Sequence, residues 1–179
     1  MRQNQSKMKS NKNSLQTGLI YGSLLGIVVI SIGIIRYKTG MILRDNQTLS
    51  YVYWGIFTMT IFYAIFQFKK LNPLSFSYKQ TLLIGLFAGL ISGLMYTIYI
   101  VILNGYIDPE LASKIIEYKE QTISNPVATV DARDTADSIK IMQMNSLWRG
   151  LVYTCVCMFF GVVHAFIATI VAKKSLFIK

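Results

Sequence analysis

Residues 80–107 read QTLLIGLFAGLISGLMYTIYIVILNGYI and contain no charged side chain. A bilayer core roughly 30 Å thick is crossed by about 20 helical residues, so this stretch is long enough to span a membrane. Further charge-free stretches run from Asn13 to Ile35, from Asn46 to Phe68 and from Gly150 to Ala172. The sequence therefore predicts an all-α membrane protein in which four transmembrane helices form two hairpins.

Two alternatives to four spanning helices fit the sequence poorly. Strands of a membrane barrel alternate apolar and polar residues, whereas Gly26 to Ile35 and Leu82 to Leu94 are almost continuously apolar. A cleaved signal peptide has a shorter apolar core and a small-residue cleavage site, but here Arg36 and Tyr37 follow a long apolar stretch. We expect one transmembrane domain over residues 1–179, with spans at about 15–35, 48–68, 81–105 and 150–172.

The net charge of +10 does not indicate nucleic-acid binding. The 18 Lys and Arg residues are spread among the ends of the apolar stretches, rather than gathered on a soluble surface that is interleaved with aromatic residues. Basic side chains in such positions anchor helix ends to lipid head groups. The lipid bilayer is therefore the expected partner, and nucleic acid is not.

The distribution of Lys and Arg predicts the orientation of the chain. In a four-span layout the N-terminus, the Lys69 to Lys79 loop and the C-terminal tail share one side, which carries ten basic residues and no acid. The opposite side carries eight basic residues and all eight acids. Arg36, Lys38 and Arg44 weaken the contrast, but four basic residues precede the first helix and three follow it. Because basic residues concentrate on the cytoplasmic side, we expect both termini in the cytoplasm.

Two of the predicted helices carry small residues that favour close helix packing. Stripes of this kind let helix backbones approach each other in lipid. Because the first and third helices run in the same direction, we expect a parallel contact in which the two stripes meet. A homodimer interface or a bound lipid is the alternative use of either stripe. The glycines are Gly18, Gly22, Gly26 and Gly33 in the first helix, and Gly85, Gly89 and Gly93 in the third.

Residues 108–149 form a loop between the third and fourth helices that is long enough to fold. The run Asp108 to Glu110 combines a capping residue, a proline suited to the first helical position and an acid at the positive end of the helix dipole. Leu111, Ile115 and Tyr118 then share one face. We expect an amphipathic helix over about 109–123, on the extracytoplasmic side.

The remainder of this loop is predicted to contain a second helical segment. Pro126 disfavours continuation of the first one. From about Asp131 or Asp134 the pattern is helical again, with Ile139 and Met142 on one face, and we expect this helix to run without a break into the fourth span. The two segments form either a lid or docking surface on the bundle, or an amphipathic layer in the head-group region.

No metal, cofactor or catalytic site is predicted. Asp131, Asp134 and Asp137 recur every three residues, but they lack a glycine-containing calcium loop and have basic neighbours, so a solvated helix face is favoured. Cys155 and Cys157 point to nearly opposite sides of a helix and lack further ligands with zinc-like spacing. Because no nucleophile and base accompany one another, we expect the protein not to be an enzyme.

His164 is the only histidine and lies within the fourth span. An ionisable group inside the membrane is by default a functional candidate, although a neutral histidine that is hydrogen-bonded between helices is more common. Its face is shared with Cys157, Gly161 and Ala168, so we expect it to face protein rather than lipid. His164 is the one polar intramembrane candidate that the sequence offers.

The four spans carry no Asp, Glu, Lys or Arg away from their ends. Ion-coupled transporters usually carry such residues. Six side chains within the spans provide some polar atoms and are expected to bond helix to helix or to line a narrow path: Tyr96, Tyr99, Asn104, Thr58, Thr60 and Tyr63.

Several motifs occur in order through the third span and its flanks. They are Asn72-Pro73, Phe76, Tyr78-Lys79-Gln80, the Gly85-xxx-Gly89 run, Tyr96-Thr97-Ile98-Tyr99 and Tyr106-Ile107-Asp108-Pro109-Glu110. Across almost its whole length the chain resembles an uncharacterised family of small four-helix membrane proteins from Bacteroidota, known as domain of unknown function 4199. The resemblance implies a bacterial inner membrane and a loop before the last helix. It implies no activity and no ligand-binding residue.

The sequence favours a non-enzymatic membrane protein that associates through its glycine-lined helices and its outer loop. The partner would be a second copy of the chain or another membrane protein. A small oligomeric channel or transporter is the alternative, because four short helices without internal charge enclose little water by themselves.

Overall fold

The computed structural model describes residues 2–43, 47–73, 76–123 and 139–174, with side chains from residue 13 onward. All regular structure within these ranges is helical. Four of the helices are long and apolar enough to cross a membrane, which confirms the predicted fold class. The helices are α1 (Arg2–Lys38), α2 (Thr48–Leu71), α3 (Tyr78–Ile102), α4 (Leu111–Ile123) and α5 (Ser146–Lys174), and α4 is the one that does not span.

Helix α3 lies between α1 and α5, and α2 packs against all three. α1 runs parallel to α3, and α5 runs antiparallel to it. The inward face of α2 contributes Phe57, Ile61, Ile65 and Phe68, each at most 1% exposed. Other large apolar side chains point outward, such as Met59 at 75% exposure. Such side chains suit a surface covered by lipid tails, which are as apolar as the side chains themselves.

The glycine stripe of α1 packs against α3, as the predicted parallel contact requires. A Cβ added at Gly22 would lie 2.9 Å from the Ala88 Cα, so the two helices are too close for a larger residue. The α3 side of this joint is made by residues other than the α3 glycines. The pairs are Gly18 with Phe87, Gly22 with Ala88 and Gly26 with Met95.

The glycine stripe of α3 faces α5 instead. At Gly85 and Gly89 the nearest atoms are backbone carbonyl oxygens of α5, so no side chain fits between these helices. The prediction that the two stripes meet in one joint is wrong, because α3 uses one face for α1 and another for α5. The pairs are Gly85 with Gly161, Gly89 with Cys157 and Gly93 with Thr154.

Two hydroxyl pairs cross the α3–α5 joint. The hydroxyls of Thr97 and Thr154 lie 3.0 Å apart, and that of Thr169 donates to that of Thr81 at 2.7 Å. All four threonines are buried. Every one of these hydroxyls therefore has a partner where water and lipid are excluded.

A tight turn closes α1. Gly40 has a φ of 67°, a left-handed conformation that favours glycine. The turn lets the Ile42 amide donate to the carbonyl of Arg36 at 3.2 Å. As a result Ile42 folds back over the helix ends and packs against Leu103.

Helix α4 packs onto the bundle through the apolar face predicted for it. Leu111 and Ile115 are 2% and 3% exposed and contact Leu103, whereas Tyr118 is 43% exposed. The chain reaches α4 through a π-helical turn at Leu103–Ile107. We call this end of the bundle, where Leu111 and Ile115 pack with Leu103, the α4 end.

A short helical stretch at 139–143 precedes α5 but does not continue into it. Met144 and Asn145 interrupt the helix, and the Asn145 Oδ1 accepts a hydrogen bond from the Leu147 amide at 2.9 Å. The predicted unbroken helix is wrong, because this asparagine caps a new helix. Pro126 and the predicted start of the second segment lie outside the described residues.

Candidate functional site

A cavity of about 220 Å³ lies inside the α4 end of the bundle. This is far more than the ~10–15 Å³ that one water molecule needs. The four spanning helices form its walls, and α4 and the stretch at 139–143 complete it. Its lining residues are Val29, Ile32, Gly33, Arg36, Ile42, Gln47, Ser50, Tyr53, Trp54, Tyr96, Tyr99, Ile100, Leu103, Asn104, Leu111, Ile115, Met142, Arg149 and Tyr153.

Arg149 lies in the first turns of α5 and is only 9% exposed. Its Nη1 lies 2.9 Å from the Met142 Sδ, and its Nη2 donates to the Ser146 hydroxyl at 3.2 Å. Its Nε is buried and has no hydrogen-bond partner among the described residues. Because a guanidinium has five N–H donors, the described part of the protein leaves much of this group's hydrogen-bonding capacity unused.

Arg36 enters the cavity from the last turn of α1. Its Nη1 donates to the Ser50 hydroxyl at 3.1 Å, which ties α1 to the start of α2. Among the described residues, its Nε is also buried without a hydrogen-bond partner, as are the hydroxyls of Tyr53 and Tyr99 on the neighbouring walls. Four buried polar atoms of the cavity-lining residues thus have no hydrogen-bond partner in the described part of the chain, which is uncommon in native proteins.

The cavity carries uncompensated positive charge. Within the part of the chain that the structure describes, neither Arg36 nor Arg149 forms an ion pair. Asp108, at the end of the π-helical turn, is instead bound to Lys114. A buried charge without a partner is costly in apolar surroundings. Such an arrangement is typical of a site that receives its counter-charge from elsewhere.

Aromatic rings form one wall of the cavity. The ring centroids of Tyr96 and Tyr153 are 4.3 Å apart, and those of Trp54 and Tyr153 are 6.5 Å apart. Trp54 also packs against Phe160 at 5.1 Å, which fixes its ring between α2 and α5. The site therefore combines a cationic part with a flat apolar part.

Polar contacts around Asp108 fasten α4 over the cavity. The Lys114 Nζ lies 3.0 Å from the Asp108 Oδ1, and the Tyr37 hydroxyl donates to the Asp108 Oδ2 at 3.4 Å. The hydrogen bond to Asp108 raises the pKa of Lys114, so this contact persists through the neutral range. α4 is thus tied to both α1 and the end of α3.

A second hollow, of about 400 Å³, lies on the other side of Arg149. It is lined by the π-helical turn, by Pro109 and Ala112, and by residues 142–147. Asn104, Met142 and Arg149 line both this hollow and the cavity. These three side chains therefore separate the cavity from a more open space.

His164, the candidate from the sequence, does not line the cavity. It is half-buried, and its ring packs edge-on against Phe57 of α2 at 6.0 Å. The His164 Nδ1 lies 2.6 Å from the carbonyl oxygen of Phe160 in its own helix. The histidine thus faces protein, but its ring nitrogen bonds within α5 rather than to another helix.

The other residues singled out by the sequence have separate places. Cys157 is buried against Gly89, and Cys155 is exposed on the opposite side of α5. Of the six polar side chains that the sequence analysis named, Tyr96, Tyr99 and Asn104 line the cavity. Thr60 and Tyr63 line a shallow groove between α1 and α2. The Thr58 hydroxyl donates to the carbonyl of Trp54 in its own helix. Asp131, Asp134 and Asp137 lie outside the described residues.

Sequence reasoning missed the two arginines. It assigned Arg36 and Arg149 to the loops, as anchors for lipid head groups, because both lie just beyond the apolar stretches. The helices extend past those limits, to Lys38 in α1 and back to Ser146 in α5, so both arginines lie on helical faces inside the bundle. Their position one turn inside a helix end was the available signal.

Comparison with known proteins identifies a family but no activity. Neither the search of curated proteins nor the search of solved structures gives a significant match. The family described as "Protein of unknown function (DUF4199)" matches residues 20–174, which is most of the chain. The protein therefore belongs to this family, whose function is unknown.

Proposed function

We propose that this integral membrane protein is a non-enzymatic binding protein, which holds a ligand in the cavity at its α4 end. The carrying observation is that cavity itself, where Arg149 is buried, Arg36 is half-buried, and neither guanidinium group has an ion pair among the described residues. The rest of the bundle is packed tightly enough to keep these helix ends in place. No enzymatic step is proposed, because the described lining residues include no carboxylate, histidine or cysteine to act as base or nucleophile.

The glycine-lined association that the sequence suggested is proposed to operate within one chain. The stripes of α1 and α3 are each covered by a neighbouring helix of the same chain. A second copy or another membrane protein would therefore bind through other faces. The outward apolar side chains of α2 and α5, such as Met59 and Phe159, are available for such contacts.

We further propose the bacterial inner membrane as the location, with both termini in the cytoplasm. The pocket explains two of the eight basic residues on the opposite side without reference to lipid, which leaves six against ten on the side of the termini. This strengthens the positive-inside argument. The α4 end then faces away from the cytoplasm.

Single cysteines introduced at Ser75 and Ser124, in a background without Cys155 and Cys157, test this orientation. A membrane-impermeant thiol reagent added to intact cells should label the Ser124 variant and spare the Ser75 variant. The reverse labelling pattern would invert the proposed topology.

Filling the cavity tests the binding function. Ile100 lines the cavity, whereas Ile98 on the same helix is 60% exposed toward lipid. We expect native mass spectrometry of the protein in mild detergent to show a bound small molecule for the wild type and for Ile98→Trp. The Ile100→Trp variant should lack it.

The binding proposal fails if wild-type protein carries no bound molecule and if an extract of the host membrane raises the melting temperatures of wild-type and Ile100→Trp protein equally. Folding of Ile100→Trp is checked separately by its helical circular dichroism and elution volume.

A small transporter or oligomeric channel is the alternative, favoured by the second hollow beyond Arg149. In one chain, the fully buried Phe57, Ile61 and Ile65 fill the bundle below the cavity. A path across the membrane would thus run between chains. Proteoliposomes that move the bound molecule, and lose this flux in Ile100→Trp, would replace binding by transport as the function.

A further inference from the structure

We propose that the cavity at the α4 end binds the phosphate head of an amphiphile, with Arg36 and Arg149 as its two cationic anchors. The inference rests on the proposed binding function and adds the chemical class of the ligand. The ligand would have a phosphate group and an apolar body.

The positive charge of the cavity is the first observation that favours a phosphate ligand. Two guanidinium groups line it, and neither has a carboxylate partner within the described residues. A phosphate monoester carries about −1.5 to −2 charges near neutral pH. One such group would neutralise Arg36 and Arg149 together, whereas a single carboxylate would leave one positive charge buried.

The hydrogen-bond donors of the cavity are the second observation that favours a phosphate ligand. Within the described part of the chain, the Nε groups of Arg36 and Arg149 and the hydroxyl of Tyr99 are buried donors without hydrogen-bond partners. The Ser50 hydroxyl oxygen accepts from Arg36, so its own hydrogen is available to a ligand. Planar guanidinium groups hold phosphate oxygens through paired N–H donors. These donors come from four different helices, and their residues all line one cavity.

The apolar wall of the cavity is the third observation, and it favours a ligand with an apolar body. Ile32, Ile100 and the rings of Trp54 and Tyr153, whose centroids are 6.5 Å apart, form a surface that inorganic phosphate alone would leave uncovered. The cavity also lies at the ends of spanning helices, where the head groups of a bilayer are found. A ligand that is anionic at one end and apolar at the other matches both parts of the site.

Ligand-induced thermal stabilisation tests this inference on the full-length protein in a neutral detergent. A ligand that binds the folded state raises the melting temperature by an amount that grows with the logarithm of its concentration relative to Kd. The probes are dioctanoyl phosphatidic acid, dioctanoyl phosphatidylcholine and inorganic phosphate. We expect stabilisation by phosphatidic acid, and at least tenfold weaker binding of the other two.

Three variants locate the effect. Arg36→Gln and Arg149→Gln should each weaken the binding of phosphatidic acid at least tenfold. Lys38→Gln removes the same charge from an exposed side chain at the same end of α1, and it should bind like the wild type. Each shift is measured against the same variant without ligand, so a change in basal stability does not imitate lost binding.

Several results would overturn the inference. Equal stabilisation by phosphatidylcholine would remove the requirement for an anion, and equal stabilisation by inorganic phosphate would identify free phosphate as the ligand. A triple variant with Asp131→Asn, Asp134→Asn and Asp137→Asn is also informative. If it binds phosphatidic acid and the wild type does not, these aspartates already neutralise the arginines in the wild-type protein. If the Ile100→Trp test succeeds while these tests fail, the protein binds a ligand of another class.

Discussion

The α3–α5 joint and the cavity at the α4 end are formed by the same helices, which pack closely in the joint and separate in the cavity. In the joint, backbones touch at Gly85 and Gly89, and the buried hydroxyls of Thr97 and Thr154 are paired. In the cavity, only a few residues further along α3, the helices separate and leave buried donors unpaired. In a membrane the close packing of the joint stabilises the fold, whereas the unpaired buried donors of the cavity destabilise it.

This difference separates the region that stabilises the fold from the region that we propose to bind a ligand. Helices in lipid associate through close packing and interhelical hydrogen bonds rather than through burial of apolar surface. The joint uses both of these contributions. The cavity lacks this close packing, and although Arg36 bonds to Ser50 of α2, neither arginine has an ion pair among the described residues. The joint and the Asp108 contacts hold the surrounding helices in place. The predictions that follow alter one region and measure whether the other responds.

The largest effect is expected from a side chain forced into the joint. Gly89→Ile would place atoms against the carbonyl of Cys157, so α3 and α5 would have to separate. Overpacking in a core costs about 1–3 kcal/mol and occasionally more, and we expect the upper end because the clash involves backbone. Melting temperature and elution volume in mild detergent provide the measurement.

Gly55→Ile is the matched control for that variant. Gly55 lies in α2, and a Cβ added there meets nothing within 4 Å. We expect its melting temperature to stay close to that of the wild type. Equal destabilisation of both variants would mean that the glycine stripe is not the joint that holds the bundle.

A smaller effect is expected from breaking one hydroxyl pair. Thr154→Val keeps the shape of the side chain and removes the 3.0 Å contact with Thr97. Interhelical hydrogen bonds in membranes contribute about 0.6 kcal/mol on average and up to about 1.7. Thermal unfolding should show a loss in this range, and Thr58→Val, whose hydroxyl bonds only within α2, should show less.

The smallest effect is expected at His164. Its Nδ1 bonds to the carbonyl of Phe160 in the same helix, and the residue lies away from the cavity. His164→Gln should therefore bind the cavity ligand like the wild type. A tenfold change in affinity would contradict the placement of the functional site at the α4 end.

The sequence predicted those features that depend on local pattern. Charge-free stretches defined the four spans, and the apolar face of Leu111 and Ile115 predicted α4. It predicted that the α1 stripe contacts α3, but it did not predict that the α3 stripe contacts α5, because a stripe specifies closeness and not a partner. The break at Asn145 was also missed, since a capping side chain competes with helical periodicity.

The cavity lay beyond sequence reasoning for a related reason. Arg36 and Arg149 are separated by most of the chain, and each alone resembles an ordinary helix-end anchor. Only the packing of α1 against α3, and of α3 against α5, brings both to one space. The aromatic and polar residues Tyr96, Tyr99 and Asn104 were noticed, but their common cavity depends on that same packing.

The stability of ligand-free protein with the Arg149 charge removed tests the central claim most directly. If the guanidinium is held unpaired for a ligand, Arg149→Met should leave the stem packed and raise the free energy of unfolding by about 1–3 kcal/mol, the cost of a buried unsatisfied group. Lys38→Met, at an exposed position of the same end, should give no such gain. A destabilised Arg149→Met protein would show that the arginine serves the fold, and would contradict the account.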